Sequence, residues 1–306
     1  MEQSTTKRIV ILGGSGFIGI NLAKHLSELG YTVDIVSRSK PADGPWGFHK
    51  WDGRSMGDWA SVVDGAFAVV NLAGRTVDCV KNPLQCDQIL RSRVESTRVL
   101  GVAVDQAQSK PSVWVQMSTA HIYGDSELEC TEGSPFGYGL APIVGKEWEA
   151  EFDRSCPDGI RRVVLRTSFV LGRDGAALRK LGTITKLGLG GTISAGTQGM
   201  SWIHIVDMCR IIEHAIANEP MTGPYISSGP KPVSNRAFMK SLRKAIGMPI
   251  GLPAAAWMIR FGAKFILRTD PELALYGRYV IPQRLLEAGF EFEYPDLDDA
   301  LRDLCK

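Results

Sequence analysis

The feature that most constrains this chain is a glycine-rich run, Gly13-Gly14-Ser15-Gly16-Phe17-Ile18-Gly19, set directly between an apolar β-branched stretch and a helical one. Glycines at 13, 16 and 19 meet the three steric needs of a strand-turn-helix that holds a dinucleotide. One permits the tight turn, one lets a pyrophosphate approach the backbone, and one lets helix and strand pack closely. The helix opened by Phe17 and Ile18 would present free backbone N–H groups to the phosphate. Gly13, Gly16, Phe17, Ile18 and Gly19 are therefore the first candidate cofactor contacts.

The surrounding pattern agrees. Residues 7–12 form a short β-branched run, 17–30 have helical periodicity ending in glycine, and 32–36 are again β-branched, which makes one βαβ unit. Further strands are expected at 47–51, 67–72, 112–117 and 160–169, with helices at 55–63, 87–108 and 144–155. Alternating strands and helices predict an α/β fold of Rossmann type, a doubly wound parallel sheet. The right-handed crossover rule puts all strand C-termini, and so the ligand, along one edge of it. After residue 170 the texture changes to glycine-rich turns, short strands and several helices. The expected division is a dinucleotide-binding domain over 1–170 and a smaller α+β substrate lobe over 171–306, with some segments returning to the sheet.

The end of the second strand selects the cofactor. NAD-binding domains usually place an acid about 20 residues beyond the glycines, where it holds the ribose 2′-OH. This chain has Ser37-Arg38-Ser39-Lys40 there, and Asp34 lies too early in the strand. Arg38 can grip a 2′-phosphate through a bidentate fork, with Ser37 nearby as a donor. The expected cofactor is NADP. Asn71-Leu72-Ala73-Gly74 closes the fourth strand with small residues, so Leu72, Ala73 and Gly74 would leave room for the adenosine half. Asp52 is either an acceptor for the adenine amino group or a cap on the following turn.

Composition removes several function classes. A net charge of +2, from 35 basic and 33 acidic residues interspersed along the chain, gives no basic face for nucleic acid. The six cysteines show no CxxC and no His at metal-ligand spacing, so reduced thiols and no metal are expected. The polar start runs straight into a strand without a targeting pattern, and a cytoplasmic location is expected. No apolar run reaches the roughly 18 residues of a membrane span. Residues 254–268 read as an amphipathic helix, with Trp257, Phe261 and Phe265 on one stripe and Arg260, Lys264 and Arg268 on another. It is expected to pack on the small lobe rather than on a membrane surface.

The fifth strand ends in Met117-Ser118-Thr119-Ala120-His121-Ile122-Tyr123-Gly124. With the glycine run, this resembles the extended short-chain dehydrogenase/reductase superfamily. The resemblance implies that Ser118 or Thr119 hydrogen-bonds the reacting carbonyl, that Tyr123-Gly124 lines the substrate pocket, and that a YxxxK pair supplies acid/base chemistry. At the place of that pair the chain reads Pro142-Ile143-Val144-Gly145-Lys146, so Lys146 is retained and the tyrosine is proline. Proline has no acid/base group. Tyr123 or Tyr138 is the candidate replacement, with Lys146 holding the nicotinamide ribose and lowering the tyrosine pKa.

Within the superfamily the chain is similar to an epimerase-like branch with a characteristic C-terminal extension. The similarity rests on Ser92-Arg93, Trp148-Glu149, VVLRTSFVLG at 163–172, Ser201-Trp202-Ile203-His204, and Pro282-Gln283-Arg284-Leu285 leading to Gly289-Phe290-Glu291-Phe292. It implies NADP, a small-molecule substrate and often a homodimer. Relatives usually have Glu after Asn-Leu-Ala-Gly and an Arg-Trp pair further on; Arg75 and Val80-Lys81 stand at those places here. His204 and Asp207 are expected to brace the small lobe. Two functions remain open at this level: an NADP-dependent oxidoreductase or epimerase acting on a small carbonyl or alcohol, and a catalytically silent NADP-binding regulator or scaffold.

Overall fold

The β-branched runs form the centre of a parallel sheet in the computed structural model, which describes residues 7–263 and 269–306. Its strands are β1 (Arg8–Leu12), β2 (Thr32–Ser37), β3 (Trp46–Lys50), β4 (Ala68–Asn71), β5 (Val113–Thr119), β6 (Arg161–Thr167) and β7 (Gly223–Ser227). They lie in the order β7-β6-β5-β4-β1-β2-β3, every neighbouring pair parallel. The order turns at β1 and β4, which sets a ligand crevice beyond their C-terminal ends.

Parallel strands are covered on both faces, so they are apolar throughout rather than alternating. In β5, Val113, Val115 and Met117 belong to one core with residues of helix α1 (Phe17–Glu28) and the helix at Ile205–Ala217. Trp114, pointing the other way, packs with Leu100 of α2 (Pro83–Gln106) and Phe152 of α3 (Leu140–Ser155). Ser118 continues the Trp114 face and Thr119 the Met117 face, because successive side chains alternate. This parity decides the fate of both hydroxyls.

Several boundaries differ from the sequence reading. The segment expected as a helix over 55–63 is a short 3₁₀ helix, Asp58–Val63. α3 begins at Leu140 instead of 144, which places Pro142 in its first turn, where a missing N–H leaves no intrahelical bond unmade. The strand expected over 160–169 breaks at Ser168, whose N–H donates to the Ser227 carbonyl at 3.1 Å. The chain there leaves the large sheet, and Phe169–Leu171 pairs in parallel with Trp202–His204 instead.

Beyond residue 170 the chain builds a second core around Trp202, Phe238, Leu242 and Leu301, yet it also returns β7 to the large sheet. Asp207 carries the brace expected of it: its carboxylate accepts the N–H groups of Glu293 and Tyr294 at 2.8 and 2.9 Å, pinning the C-terminal extension. His204 stacks on Tyr294 with ring centroids 3.8 Å apart, and its Nδ1 accepts the Val206 N–H at 3.2 Å. Burial lowers its pKa, with Asp303 opposing, as suits a structural imidazole. Among the described residues of the amphipathic segment, Ala256–Gly262 is helical, with Trp257 71% exposed and Phe261 also exposed. Trp257 is thus not buried against the small lobe as expected; Lys264, Phe265 and Arg268 lie outside the described residues.

Candidate active site

The glycine turn is built as its sequence dictates. Gly13 has φ +75°, and a Cβ there would lie 2.9 Å from the backbone of Ala73. The turn and the Leu72-Ala73-Gly74 segment are therefore in direct backbone contact. A Cβ on Gly16 would meet only the Gly13 carbonyl, at 3.4 Å. The space it would fill opens over the N-terminus of α1, whose N-cap, Gly16, offers no side-chain cap. Asn71, fully buried, fixes the far wall by donating to Thr97 Oγ1 at 3.2 Å and Gln116 Oε1 at 3.0 Å, while its Oδ1 accepts the Ala73 N–H at 3.1 Å.

At the end of β2, Ser37 is buried and donates to the Ser39 carbonyl at 2.8 Å, so its hydroxyl is spent on the turn. Arg38 is exposed, with no protein partner among the described residues. Asp34, the nearest acid in the strand, lies 2.9 Å from His49 Nε2 and is held toward β3. Asp52 caps its turn: it accepts the N–H groups of Arg54 and Ser55 at 2.8 and 2.9 Å and the Ser55 hydroxyl at 2.5 Å. Of its two sequence readings, this geometry fits the cap.

Gly74 leads to Arg93 of α2, since a Cβ at 74 would lie 3.3 Å from the Arg93 guanidinium carbon. Arg93 donates to the Ile89 carbonyl at 3.0 Å, stands 5.0 Å from the Trp148 ring, and has its pKa drawn down to about 10 by burial. Arg75 takes the place of the usual acid and donates to Gln85 and Gln88 of α2. The loop over the cleft is thus tied down by amides instead of an acid-arginine pair.

The catalytic candidates separate into two groups. Ser118 is 3% exposed and donates to Glu149 Oε1 of α3 at 2.6 Å. Arg166, its register partner on β6, clamps the same carboxylate through Nε at 3.0 Å and Nη2 at 2.8 Å. Arg166 Nη1 donates to the Tyr123 hydroxyl at 2.9 Å and the Glu132 carbonyl at 3.0 Å. Burial works against the Arg166 charge, but Glu149 outweighs it and holds the guanidinium more firmly protonated than usual.

Tyr123 is thereby placed in a buried network rather than at an open site. Only 3% exposed, it packs with Ile122, Cys130, Ile226 and Val280, and burial pushes its pKa up to about 12 despite Arg166. The lowered tyrosine pKa expected from the sequence is reversed, because desolvation disfavours a phenolate. Tyr138 is 95% exposed and its ring is not brought to Ser118. Lys146 is exposed on α3, one turn before Glu149, with Nζ 5.7 Å from the Phe136 ring centroid. The hydroxyl that is not buried is Thr119, half-exposed at the last position of β5, with Oγ1 accepting the His121 N–H at 3.1 Å.

Glu149 and Arg166 are the residues that the sequence reading quoted without assigning a role. An arginine inside an otherwise apolar strand is the available signal, since a buried guanidinium requires a partner. Its partner could not be picked from sequence.

Residues 9–225 match the NAD dependent epimerase/dehydratase family, and residues 254–304 match a domain of unknown function, DUF1731. The chain is 35% identical to the human epimerase family protein SDR39U1 over 97% of its own length and 99% of that protein's. It is 30% identical to the Bacillus subtilis epimerase family protein YfhF, over 97% of each chain. The crystal structure of human SDR39U1 (isoform 2) with NADPH superposes with a TM-score of 0.87 at 31% identity, covering 97% of this chain and 99% of that one. The UDP-N-acetylglucosamine 4-epimerase of Bacillus cereus, at 17% identity and a TM-score of 0.77 over 98% of both chains, shares the fold. By the match over 9–225 and the full-length similarity to SDR39U1, the chain belongs to the NAD dependent epimerase/dehydratase family, in the branch that carries the DUF1731 extension.

Proposed function

We propose that this protein is an NADP(H)-dependent oxidoreductase or epimerase that acts on a small carbonyl or alcohol compound in the cleft beyond β4 and β5. The observation that carries the cofactor reading is Arg38, unpaired at the end of β2 with no free carboxylate beside it. An unpaired guanidinium there favours a 2′-phosphate and disfavours nothing else about the nucleotide. The NADPH in the human SDR39U1 structure supports the same reading. The glycine turn would cradle the pyrophosphate, Ala73 and Gly74 would flank the adenosine half, and Lys146 would hold the nicotinamide ribose. The bound cofactor would donate or accept a hydride at its nicotinamide ring.

Thr119 is the hydroxyl we assign to the substrate oxygen. Ser118 acts as a positioning residue, because its proton is committed to Glu149. Tyr123 retains its proton at neutral pH and positions Arg166. Six free cysteines among the described residues fit the expected cytoplasmic setting, and among those residues no helix is long and apolar enough to cross a membrane.

Calorimetry of the unmodified protein with NADPH and NADH tests the cofactor reading. NADPH should bind at least about tenfold more tightly, a margin of about 1.4 kcal/mol that one charge-assisted phosphate contact supplies, and Arg38→Ala should remove most of it. Equal affinities would end the proposal. The buried Pro142 at the YxxxK position favours the second reading, a silent NADP-binding protein. A screen of carbonyl compounds that follows NADPH oxidation separates the two: no turnover despite tight NADPH binding would select the silent binder.

A further inference from the structure

At the corner where β5 ends and the small lobe begins, a buried arginine stands without an acid partner among the described residues. Arg278 is 9% exposed. Its Nε donates to the Gly124 carbonyl at 2.6 Å, its backbone N–H donates to Gly199 at 3.0 Å, and its carbonyl accepts from Ser201 Oγ at 2.8 Å. The two terminal nitrogens have no protein partner among the described residues. Asp125 is the carboxylate whose charge reaches this guanidinium, but its Oδ1 takes the Gly277 N–H at 2.7 Å and it forms no ion pair with Arg278. Burial pulls the Arg278 pKa down to about 10.

His121 shares the corner. Its carbonyl accepts the Gly124 N–H at 3.0 Å, and its ring has no hydrogen-bond partner among the described residues. Burial first, then the positive charges of Arg278 and Lys81, drive its pKa to about 3, so the imidazole is neutral. Lys81 reaches in from the loop after Gly74; its Nζ donates to the Val77 carbonyl at 2.7 Å and lies 3.6 Å from Asp270. A guanidinium that is only 9% exposed, with four of its five N–H donors unmatched by the protein, is costly to keep. An oxyanion placed on it would supply both the missing acceptors and the missing charge.

We infer that this corner is an oxyanion subsite: a carboxylate or phosphate group of the substrate docks on the terminal nitrogens of Arg278, beside His121 and with Lys81 at the rim. The inference rests on reading the cleft as the substrate site. The planar fork of an arginine matches two oxygens of either group. Thr119 lies beside this corner, its Oγ1 accepting the His121 N–H at 3.1 Å. The substrate class is a small acid or phosphate ester that carries its carbonyl or alcohol close to its charge. Binding of the anion cancels part of the positive field on His121, so the imidazole becomes easier to protonate as the site fills.

The test reads His121 directly and needs no turnover. The protein has five histidines; labelling their ring carbons and comparing with His121→Gln identifies the resonance. Inorganic phosphate is titrated into the protein saturated with NADPH, and again without cofactor, at several pH values. The expected result is a rise in the His121 titration midpoint of one pH unit or more at saturating phosphate. The apparent phosphate affinity read at His121 should fall at least tenfold in Arg278→Lys, which keeps the charge but loses the fork. Lys81→Met, at a rim position, should weaken phosphate by a smaller factor. A His121 midpoint indifferent to phosphate, or an equal response in Arg278→Lys, would overturn the subsite. Failure of NADPH to bind would instead count against the cofactor reading, and the cofactor-free titration would still decide the subsite.

Discussion

Replacing Glu149 by alanine should be among the most destabilising single changes available in this protein. The substitution removes the acceptor of three hydrogen bonds, from Ser118 Oγ at 2.6 Å and from Arg166 Nε and Nη2 at 3.0 and 2.8 Å. Arg166, 5% exposed, would keep only the Tyr123 hydroxyl and the Glu132 carbonyl. Removing one partner of a buried pair costs about 3–5 kcal/mol, most of it from the charge left behind. The Glu149 side chain is 14% exposed, so water can reach part of the vacated space, and the lower part of that range, about 3 kcal/mol, is expected. Glu149→Gln keeps one acceptor and should cost about 1–2 kcal/mol. The double change Glu149→Met, Arg166→Met removes both charges and should recover most of the loss, because a buried pair exchanged for apolar side chains is often near neutral. Urea unfolding followed by circular dichroism measures all of these; with a slope of about 3 kcal/mol/M for a chain of this size, Glu149→Ala should lower the midpoint by about 1 M. If Glu149→Ala unfolds within about 0.5 kcal/mol of the parent, or if the double variant is as damaged as the sum of the single ones, the network does not hold the fold as described.

Gly13→Ala forces a Cβ to 2.9 Å from the Ala73 backbone at φ +75°, so NADPH affinity in calorimetry should fall by more than tenfold; unchanged affinity would exclude this turn as the cradle. Asp207→Asn weakens the acceptor of the Glu293 and Tyr294 N–H groups and should cost about 2 kcal/mol, read as faster proteolytic loss of the C-terminal extension than of the sheet. Glu151 gives a pH signature: burial works to raise its pKa, but Arg98, Arg154 and Ser155 outweigh it and hold the carboxyl at about 2. Its folded pKa is depressed, so its contribution is present above the unfolded value of 4.5 and is lost as pH falls toward 2. The melting-temperature gap between parent and Glu151→Gln should therefore close between pH 4.5 and 2; a gap that is constant across that window contradicts the assignment.

The strand-turn-helix at 8–28 was legible in the amino-acid sequence because its signal is local. The glycines, the strand before them and the helix after them are contiguous, and their steric roles depend on neighbours a few residues away. The same holds for Arg38, whose position follows from counting along one βαβ unit, and for Pro142, which announces by its chemistry that no proton can be held there. What the sequence could not reveal was which side chains face one another. Ser118, Glu149 and Arg166 meet only because β5 and β6 pair in one register and α3 lies over that face of the sheet. Tyr123 and Tyr138 are the same residue type in neighbouring loops, yet one is buried with its pKa raised and the other is 95% exposed. Arg278 meets Gly124 across 154 positions of chain. Periodicity reports the conformation of a segment and the face it buries. The pairing of distant faces is fixed by core packing summed over the whole chain, so the electrostatics of the cleft were decided by the tertiary structure alone.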